Sequence, residues 1–206
     1  MSHRCFISFK KENSYYKDMI IKKLGQERIK GKALDEWIDS DDIDYVMQVI
    51  RNKYMSNTSV TLFLIGNHSL EDDGKDIFGR DNNAFIKREL QATLYDGKGF
   101  NRSGLLGIVL PEIEQRIYGG KEYCDKCKCT HNIVRINDET VIREFSANYY
   151  LRPHKDGCGN YYNEDDRFCV VVRYSEFMQN PDKYIDEAFE KLNQDINNYV
   201  HWRDLR

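Results

Sequence analysis

Short, almost wholly apolar runs alternate with amphipathic stretches along most of this chain. The runs lie at 4–9, 59–66, 104–111 and 167–174, and the second of them, SVTLFLIG, is apolar nearly throughout. Continuous runs of this kind are typical of strands that helices cover on both faces. We therefore predict buried parallel strands at these four positions, with 59–66 at the centre of the sheet.

Between these runs, apolar residues recur at the three- and four-residue spacing of a helix face. The segments with this spacing are KENSYYKDMIIKKLG, DIDYVMQVIRNKY, NAFIKRELQATLYDG and NPDKYIDEAFEKLNQDINNYV, the last at 180–200. The acidic DSDD at 39–42 suits a helix start, because carboxylates interact favourably with the exposed amide groups there. Asn180 and Pro181 suit the start of the last helix. A weaker run, ALDEWI at 33–38, is predicted as the second strand.

The alternation of buried runs with amphipathic helices predicts an α/β fold with a central parallel sheet of about five strands. We expect residues 1–206 to form a single domain, with an irregular insertion at about 112–166 before the last strand. Ligands of such sheets bind beyond the carboxyl ends of the strands. This rule directs attention to Ser8, Phe9 and Trp37.

Composition and charge narrow the class of protein. The chain is 40% hydrophobic, enough for a well-buried core, and its net charge of −3 comes from interspersed acidic and basic residues. No stripe of like charge marks a nucleic-acid surface, so we expect no nucleic-acid partner. No window approaches roughly 18 apolar residues and no signal-peptide pattern opens the chain, so we expect no membrane partner. Three of the six cysteines sit within CDKCKC, which fits a reducing cytoplasm.

Four segments, taken in their order and spacing, carry a resemblance to a known family. They are CFISFKKEN near the start, SNTSVTLFLIGNHSL in the middle, FIKRELQATLYDGKG after it, and then GLLGIVLP. Together they resemble the TIR-like (Toll/interleukin receptor) domain of the bacterial Thoeris anti-phage defence system, of the ThsB type. The match covers roughly residues 3–111, and NYYL with VVVRYSEFMQNPDKYIDEAF resembles the C-terminal part of the family.

The resemblance implies a flavodoxin-like fold and an enzyme that consumes NAD+. Such an enzyme cleaves the nicotinamide–ribose bond, and closure or transfer then gives an ADP-ribose-derived signalling nucleotide. The resemblance further implies that this nucleotide activates a separate effector, and that self-assembly and a phage-derived trigger control the enzyme. The catalytic glutamate of the family lies on the helix after the central strand, which corresponds to Glu89 here.

A single carboxylate suits this chemistry. As nicotinamide departs, positive charge builds on the ribose C1′ and ring oxygen, much as in glycoside cleavage. A fixed carboxylate stabilises that charge or holds the ribose hydroxyls. Nicotinamide leaves as a neutral molecule, so no general acid is needed on the leaving group. The alternative interpretation is that Glu89 is an exposed helix residue beside Lys87 and Arg88, in a surface patch of mixed charge.

Five further residues are candidate ligand contacts. Ser8 and Phe9 end the first strand, where a hydroxyl, an amide or an aromatic face would meet the nicotinamide ribose. Lys10 would neutralise the pyrophosphate, Trp37 would stack on a base, and His68 would contact phosphate. The simpler alternatives are a strand-end serine, a packing tryptophan and an incidental loop histidine.

Other classes of function stay open at this point. A non-catalytic TIR-like scaffold would use the same sheet to bind a partner or a nucleotide. No glycine-rich phosphate loop follows the first strand, which disfavours a dinucleotide-binding Rossmann enzyme. No Asp pair follows that strand either, which disfavours a receiver domain. In the TIR interpretation, segment 31–45 is the loop over the site, and we expect it to change shape.

The predicted insertion carries a cluster of potential metal ligands. Cys124 and Cys127 have the two-residue gap of zinc knuckles, and a tetrahedral site would have Cys129 and Cys158 as further ligands, with His131 and His154 as alternatives. Four protein ligands leave no position for water activation, so a bound Zn2+ would be structural. Reduced loop thiols without metal are the competing interpretation. Cys5 and Cys169 lie in strand patterns and are predicted to be buried apolar groups.

Overall fold

The computed structural model describes residues 3–30, 34–75, 79, 81–151 and 162–202. The central strands are β1 (Cys5–Ser8), β2 (Ile29–Lys30), β3 (Val60–Ile65), β4 (Gly104–Val109) and β7 (Val170–Arg173). They form one five-stranded sheet in the order β2-β1-β3-β4-β7, and every pairing in it is parallel. A separate antiparallel hairpin consists of β5 (Tyr118–Cys124) and β6 (Cys129–Val134).

Helices flank the sheet on both sides. They are α1 (Ser14–Leu24), α2 (Ile43–Lys53), α3 (Ala84–Leu94), α4 (Glu114–Ile117), α5 (Arg143–Ser146), α6 (Tyr174–Gln179) and α7 (Pro181–Glu190). The architecture is α/β with a flavodoxin-like arrangement, which confirms the predicted fold class. In the part of the chain that the structure describes, no helix is long and apolar enough to cross a membrane.

Alternation along the strands sorts the core into two layers. On the face covered by α1 and α7, the buried strand residues are apolar: Cys5, Ile7, Val60, Leu62, Leu64, Leu106 and Ile108. The face covered by α2 and α3 carries Phe6 and Phe63. Because residues two apart on a strand share a face, Ser8 lies on the same side as Phe6. Cys5 and Cys169 are fully buried, as predicted.

The starts of two helices follow the chemistry of their caps. Asp42 Oδ1 accepts hydrogen bonds from the backbone N–H groups of Asp44 and Tyr45, at 3.0 and 3.1 Å. These bonds satisfy amides that have no partner within the helix. Asn180 caps α7 in the same way, and Pro181 occupies its first turn. Both predicted helix starts are confirmed.

Two element predictions are wrong. The second strand is Ile29–Lys30 and not 33–38; it pairs with β1, and the described part of the predicted run, 34–38, is neither strand nor helix. A two-residue strand is too short to leave a periodic pattern in the sequence. The last helix ends at Glu190, and short 3-10 turns take the chain on from there to residue 199.

The predicted irregular insertion at 112–166 contains regular structure. It holds the β5–β6 hairpin and the short helices α4 and α5, while residues 152–161 lie outside the described ranges. The sequence pattern did not predict the hairpin. Its strands are largely exposed on both faces, so apolar and polar residues do not alternate along them. Phe145 of α5 is fully buried and packs on Phe63 with 5.6 Å between ring centroids, which joins the insertion to the core.

Candidate functional site

The side chain of Glu89 points into the core of the protein and is only 2% exposed. The buried positions of α3 are Ile86, Glu89, Leu90, Ala92, Thr93 and Leu94. Glu89 therefore belongs to the stripe of three- and four-residue spacing that packs on the sheet. The interpretation of Glu89 as an exposed helix residue is wrong. Its place within this stripe is the sequence signal that would have indicated burial.

Both carboxylate oxygens of Glu89 accept a hydrogen bond. Ser8 Oγ donates to Oε2 at 2.6 Å, and the backbone N–H of Leu34 donates to Oε1 at 2.7 Å. Ser8 is the last residue of β1 and is fully buried, whereas Leu34 belongs to the segment between β2 and α2. The carboxylate is thus held by the end of a strand on one side and by a connecting segment on the other.

Burial raises the pKa of Glu89 from 4.5 to about 7. Removing a carboxyl group from water penalises its charged form, which shifts the equilibrium toward the protonated acid. The hydrogen bonds from Leu34 and Ser8 oppose this shift, because both donors favour the anion. The two effects together make Glu89 a group that changes charge near neutral pH.

The Ser8–Glu89 pair lies where an open parallel sheet binds ligands. In the sheet, β1 lies between β2 and β3. The chain adds β2 on one side of β1 and then crosses over to add β3 on the other side, so the strand order reverses at β1. Ligands bind beyond the carboxyl ends of the strands at such a reversal of strand order. Ser8 ends β1 and contacts Glu89 there, so the pair occupies the expected position.

A cavity of about 430 Å³ lies along α3 and is lined in part by Trp37, Arg88, Gln91, Glu144 and Trp202. This volume is within the range of small-molecule sites in proteins. Glu89 is not among the residues that line this cavity. In the conformation described, α3 presents Arg88 and Gln91 to the cavity, while Glu89 faces the sheet and is closed off.

A row of contacts runs along the wall of this cavity. The guanidinium of Arg88 lies 5.5 Å from the ring centroid of Trp37, whose side chain is 43% exposed. Arg88 also donates to Gln91 Oε1 at 3.4 Å, and Gln91 Nε2 donates to Glu144 Oε1 at 3.0 Å. The wall therefore offers an aromatic face next to a cation, a combination that suits a base and a phosphate.

Glu144 is a second buried carboxyl that the sequence did not indicate. It is 7% exposed, and burial raises its pKa above the ordinary value. Its Oε2 has no hydrogen-bond partner among the residues that the structure describes. Glu144 belongs to α5 within the insertion, where no periodic pattern exists, so nothing in the sequence marked it.

Lys10 and His68 converge on Asp73 rather than on the Ser8–Glu89 pair. Lys10 Nζ donates to the backbone oxygen of Asn82 at 2.8 Å and lies 3.3 Å from Asp73 Oδ2. His68 Nδ1 lies 3.3 Å from Asp73 Oδ1, and the imidazole is about half exposed. The structure thus brings these two predicted contacts together around the carboxylate of Asp73, which balances the charge of Lys10.

Phe9 does not join the site. It is partly buried against the apolar cluster under α1 and α7, and Lys17 Nζ lies 5.1 Å from its ring centroid. Neighbouring residues of an extended chain point to opposite sides, so Phe9 faces away from the layer that Ser8 shares with Glu89. The structure therefore does not bring Phe9 together with Ser8 and Glu89, and its contact with the nicotinamide ribose stays a prediction.

The potential metal ligands converge at the tip of the hairpin. Donor atoms of Cys124, Cys127 and His131 all lie within 4.8 Å of one another. Cys129 stands apart from this group, because it is exposed and its Sγ donates to the backbone oxygen of Cys127 at 3.4 Å. The structure therefore brings together two of the first-choice ligands with His131, which was predicted as an alternative ligand. Cys158 and His154 lie outside the described residues.

Comparison with known proteins gives no family assignment. No protein-family model matches the chain, and no curated protein matches it significantly.

Proposed function

We propose that this chain is a TIR-type NAD+ nucleosidase, which cleaves the nicotinamide–ribose bond and forms an ADP-ribose-derived signalling nucleotide. The observation that carries this proposal is the buried carboxyl of Glu89, which Ser8 holds at the carboxyl end of β1. The family resemblance implies that the catalytic glutamate lies on this helix, α3. The downstream steps, in which the nucleotide activates a separate effector in anti-phage defence, rest on the resemblance alone.

In the proposed reaction Glu89 acts on the ribose. The bond between C1′ and the pyridinium nitrogen breaks, its electron pair leaves with nicotinamide, and the ribose becomes an oxocarbenium ion. The anionic form of Glu89 stabilises this cation by its charge or by holding the ribose hydroxyls. Water then adds to C1′, or a nucleophile within the same molecule closes the ring. Nicotinamide departs neutral, so one carboxylate is sufficient.

Burial would favour this chemistry once substrate is bound. Charge interactions are stronger in a site that excludes water, so an anionic Glu89 would stabilise the ribose cation more than an exposed carboxylate. The pyridinium of NAD+ is itself cationic, and a nearby positive charge lowers the pKa of a carboxyl group. Binding of substrate would therefore draw Glu89, whose pKa burial raises to about 7, into its charged form at neutral pH.

Substrate access requires the segment around Leu34 to move. The N–H of Leu34 occupies Oε1 of Glu89, and the carboxylate is only 2% exposed. Residues 34–38 form neither helix nor strand and lie in the predicted site loop 31–45. Displacement of Leu34 would free one carboxylate oxygen to accept a hydrogen bond from a ribose hydroxyl.

Arg88 is the proposed anchor for the pyrophosphate. Its direct contacts among the described residues are the face of Trp37 and Gln91, which are both uncharged, and the carboxyl of Glu144 acts on it only through a longer-range electrostatic interaction. Its neighbour Lys87 differs, since it lies 2.6 Å from carboxylate oxygens of Glu71 and Asp81. The charge of Lys87 is thus balanced within the protein, and that of Arg88 is directed at the cavity.

The closed state of Glu89 favours one alternative, a non-catalytic module that binds a nucleotide. The cavity beside Trp37 and Arg88 exists without any contribution from Glu89. In this alternative the buried carboxyl only joins β1 to the segment that precedes α2. Binding of NAD+ without release of nicotinamide distinguishes the module from the enzyme.

The test is to incubate the purified chain of residues 1–206 with NAD+ and to quantify nicotinamide and nucleotide products by mass spectrometry. We expect Glu89→Gln to lower the rate by about 10³-fold, because it removes the charge that stabilises the transition state. Glu187→Gln is the matched control. Glu187 lies on α7, on the other face of the sheet, and its side chain is 44% exposed, so we expect the wild-type rate.

The assay also needs conditions that favour self-assembly. The resemblance implies this, because TIR sites are commonly completed by a neighbouring subunit. The assay is therefore repeated at high protein concentration and with lysate from phage-infected cells. Equal rates for Glu89→Gln and wild type would contradict the proposed role of Glu89. Absence of nicotinamide in all conditions, with NAD+ binding retained, would support the binding module instead.

A further inference from the structure

The hairpin β5–β6 turns sharply at its tip. Cys124 ends β5 and Cys129 begins β6, and these two residues face each other in the antiparallel ladder. The backbone N–H of Lys128 donates to the backbone oxygen of Cys124 at 2.8 Å, which closes the turn. Lys128 adopts a φ of 56°, in the left-handed region that residues other than glycine rarely occupy. This conformation reverses the chain directly after Cys127.

The turn brings three metal-binding side chains to one point. Cys127 Sγ lies 3.0 Å from His131 Nε2, and the donor atoms of Cys124, Cys127 and His131 lie within 4.8 Å of one another. Because β6 begins immediately after the turn, His131 is the third residue of that strand and lies diagonally across the ladder from Cys124. Side chains in this diagonal relation come within reach of each other.

The observed spacing suits a tetrahedral ion. Zinc bonds of about 2.3 Å to sulfur and about 2.0 Å to nitrogen place two sulfurs about 3.8 Å apart, and sulfur and nitrogen about 3.6 Å apart. The three donor atoms are already within 4.8 Å, so small rotations of the side chains reach these distances. Two thiolates and one imidazole are soft or intermediate donors, which select Zn2+ over Mg2+ or Ca2+.

The hairpin has little other support at this end. The five residues between Tyr118 and Cys124 are exposed, and no residue of β6 is fully buried. A two-stranded hairpin without a buried face is marginally stable in water. Cys124, by contrast, is 4% exposed. A bound ion would therefore fix the tip of a hairpin that packing alone holds weakly.

We propose that Cys124, Cys127 and His131 supply three of the four ligands of one Zn2+ ion that stabilises the β5–β6 hairpin, with the fourth tetrahedral position taken by a ligand outside this cluster. The two thiolates neutralise the charge of the ion, and the ion ties the turn after β5 to the strand β6. His131 also lines a cavity of about 610 Å³ together with Tyr118 and Arg173, so the ion fixes one wall of that cavity. This inference is independent of the NAD+ proposal, since its readout is metal content.

The first test measures zinc in the chain of residues 1–206 after purification without chelator. We expect about one Zn2+ per chain for the wild type, and a loss of most of it for Cys127→Ser and His131→Ala, since each removes one ligand. Cys129→Ser is the matched control. It alters a cysteine two residues away whose Sγ lies outside the cluster, so we expect it to retain about one Zn2+.

A second measurement guards against variants that bind no metal because they fail to fold. The chelated wild-type chain is titrated with Co2+, and the sulfur-to-cobalt charge-transfer absorption reports thiolate coordination without any substitution. Hydrogen exchange is then compared with and without chelator. We expect faster exchange of hairpin amides within 118–134 after chelation, and unchanged exchange in β3 and β4.

Three outcomes would overturn the proposal. The first is a wild-type chain that contains no zinc and gives no charge-transfer absorption with Co2+. The second is equal loss of zinc from Cys129→Ser and Cys127→Ser, which would place the ligands elsewhere. The third is a disulfide between Cys124 and Cys127 in the purified chain, because oxidised sulfurs are not zinc ligands.

Discussion

The two faces of the central sheet differ in chemistry although both are closely packed. Under α1 and α7, the buried strand residues are aliphatic side chains and one cysteine. Under α2 and α3, the buried set also includes Ser8, Thr61, Glu89, Thr93 and the nearby Arg51. The polar groups pair with one another: Thr61 Oγ1 lies 2.8 Å from Thr93 Oγ1, and Ser8 donates to Glu89. One face is purely hydrophobic, and the other contains a polar network.

The apolar face mainly contributes to the stability of the fold, whereas the polar face carries Glu89, the residue of the proposed function. An apolar layer gains free energy from every group that it removes from water. A buried carboxyl does the opposite when it is charged, because desolvation is only partly offset by two hydrogen bonds. A protein that keeps Glu89 inside its core gives up stability there. The proposed chemistry on the ribose gives a reason for such an arrangement.

The largest effect is expected on the apolar face. Leu62 is fully buried in the middle of β3, under α1 and α7. Leu62→Ala should lower the free energy of unfolding by about 2–5 kcal/mol, since it removes buried methyl groups and leaves a cavity. The loss, measured by urea denaturation, should be the same at about pH 5 and about pH 8, because the described residues of the apolar cluster around Leu62 include no carboxyl or imidazole side chain. A strongly pH-dependent loss would contradict the comparison of the two faces.

A smaller and pH-dependent effect is expected on the polar face. Ser8→Ala should cost about 2 kcal/mol at about pH 8, where Ser8 donates to a charged Glu89, and about 1 kcal/mol at about pH 5. Thr61→Val is the matched control. It removes a neutral hydrogen bond between two hydroxyls on the same face, so its cost should not change with pH. Equal pH dependence for the two variants would show that Glu89 does not titrate as described.

The smallest effect concerns ligand binding. Arg88→Ala should raise the KM for NAD+ about tenfold, which corresponds to about 1.4 kcal/mol, with little change in kcat. Arg88→Lys keeps the charge but loses the planar guanidinium over the ring of Trp37, so it should restore only part of the affinity. Steady-state kinetics check both variants. A fall in kcat with unchanged KM would contradict the anchoring role of Arg88.

The strands were predictable where burial on both faces left a continuous apolar run. This holds for β1, β3, β4 and β7, which confirm the predicted positions to within a few residues. It fails for β2, which has two residues, and for the β5–β6 hairpin, whose strands are largely exposed. A pattern reports burial, so elements without a consistent buried face leave no pattern to find.

The candidate site was predictable in part for a similar reason. The position of Glu89 within the buried stripe of α3 is visible in the sequence, as is Ser8 at a strand end. Their contact joins residues 81 positions apart, and the second donor, the N–H of Leu34, is a backbone group that has no sequence signature. Glu144 lies on α5, within an insertion whose sequence shows neither helical nor strand periodicity. Long-range contacts of these kinds follow from the tertiary fold and are not encoded in local spacing.

In the proposed function, Glu89 is a buried carboxyl kept for chemistry at the expense of stability. Its unfolded pKa of 4.5 rises to about 7 in the fold, so the native state binds more protons than the unfolded state between these values. Stability is therefore lost as pH rises from 4.5 to about 7, and stays lost above it. The shift corresponds to a loss on the order of 3 kcal/mol.

The most direct measurement combines stability and activity of Glu89→Gln on one preparation. Glutamine keeps the shape of the side chain and carries no charge to bury. At about pH 8 we expect the variant to be more stable than wild type by up to about 3 kcal/mol, with the difference vanishing near pH 4. We expect the same sample to release nicotinamide from NAD+ about 10³-fold more slowly than the wild type. A variant that is less stable at pH 8, or that cleaves NAD+ at the wild-type rate, would contradict the account.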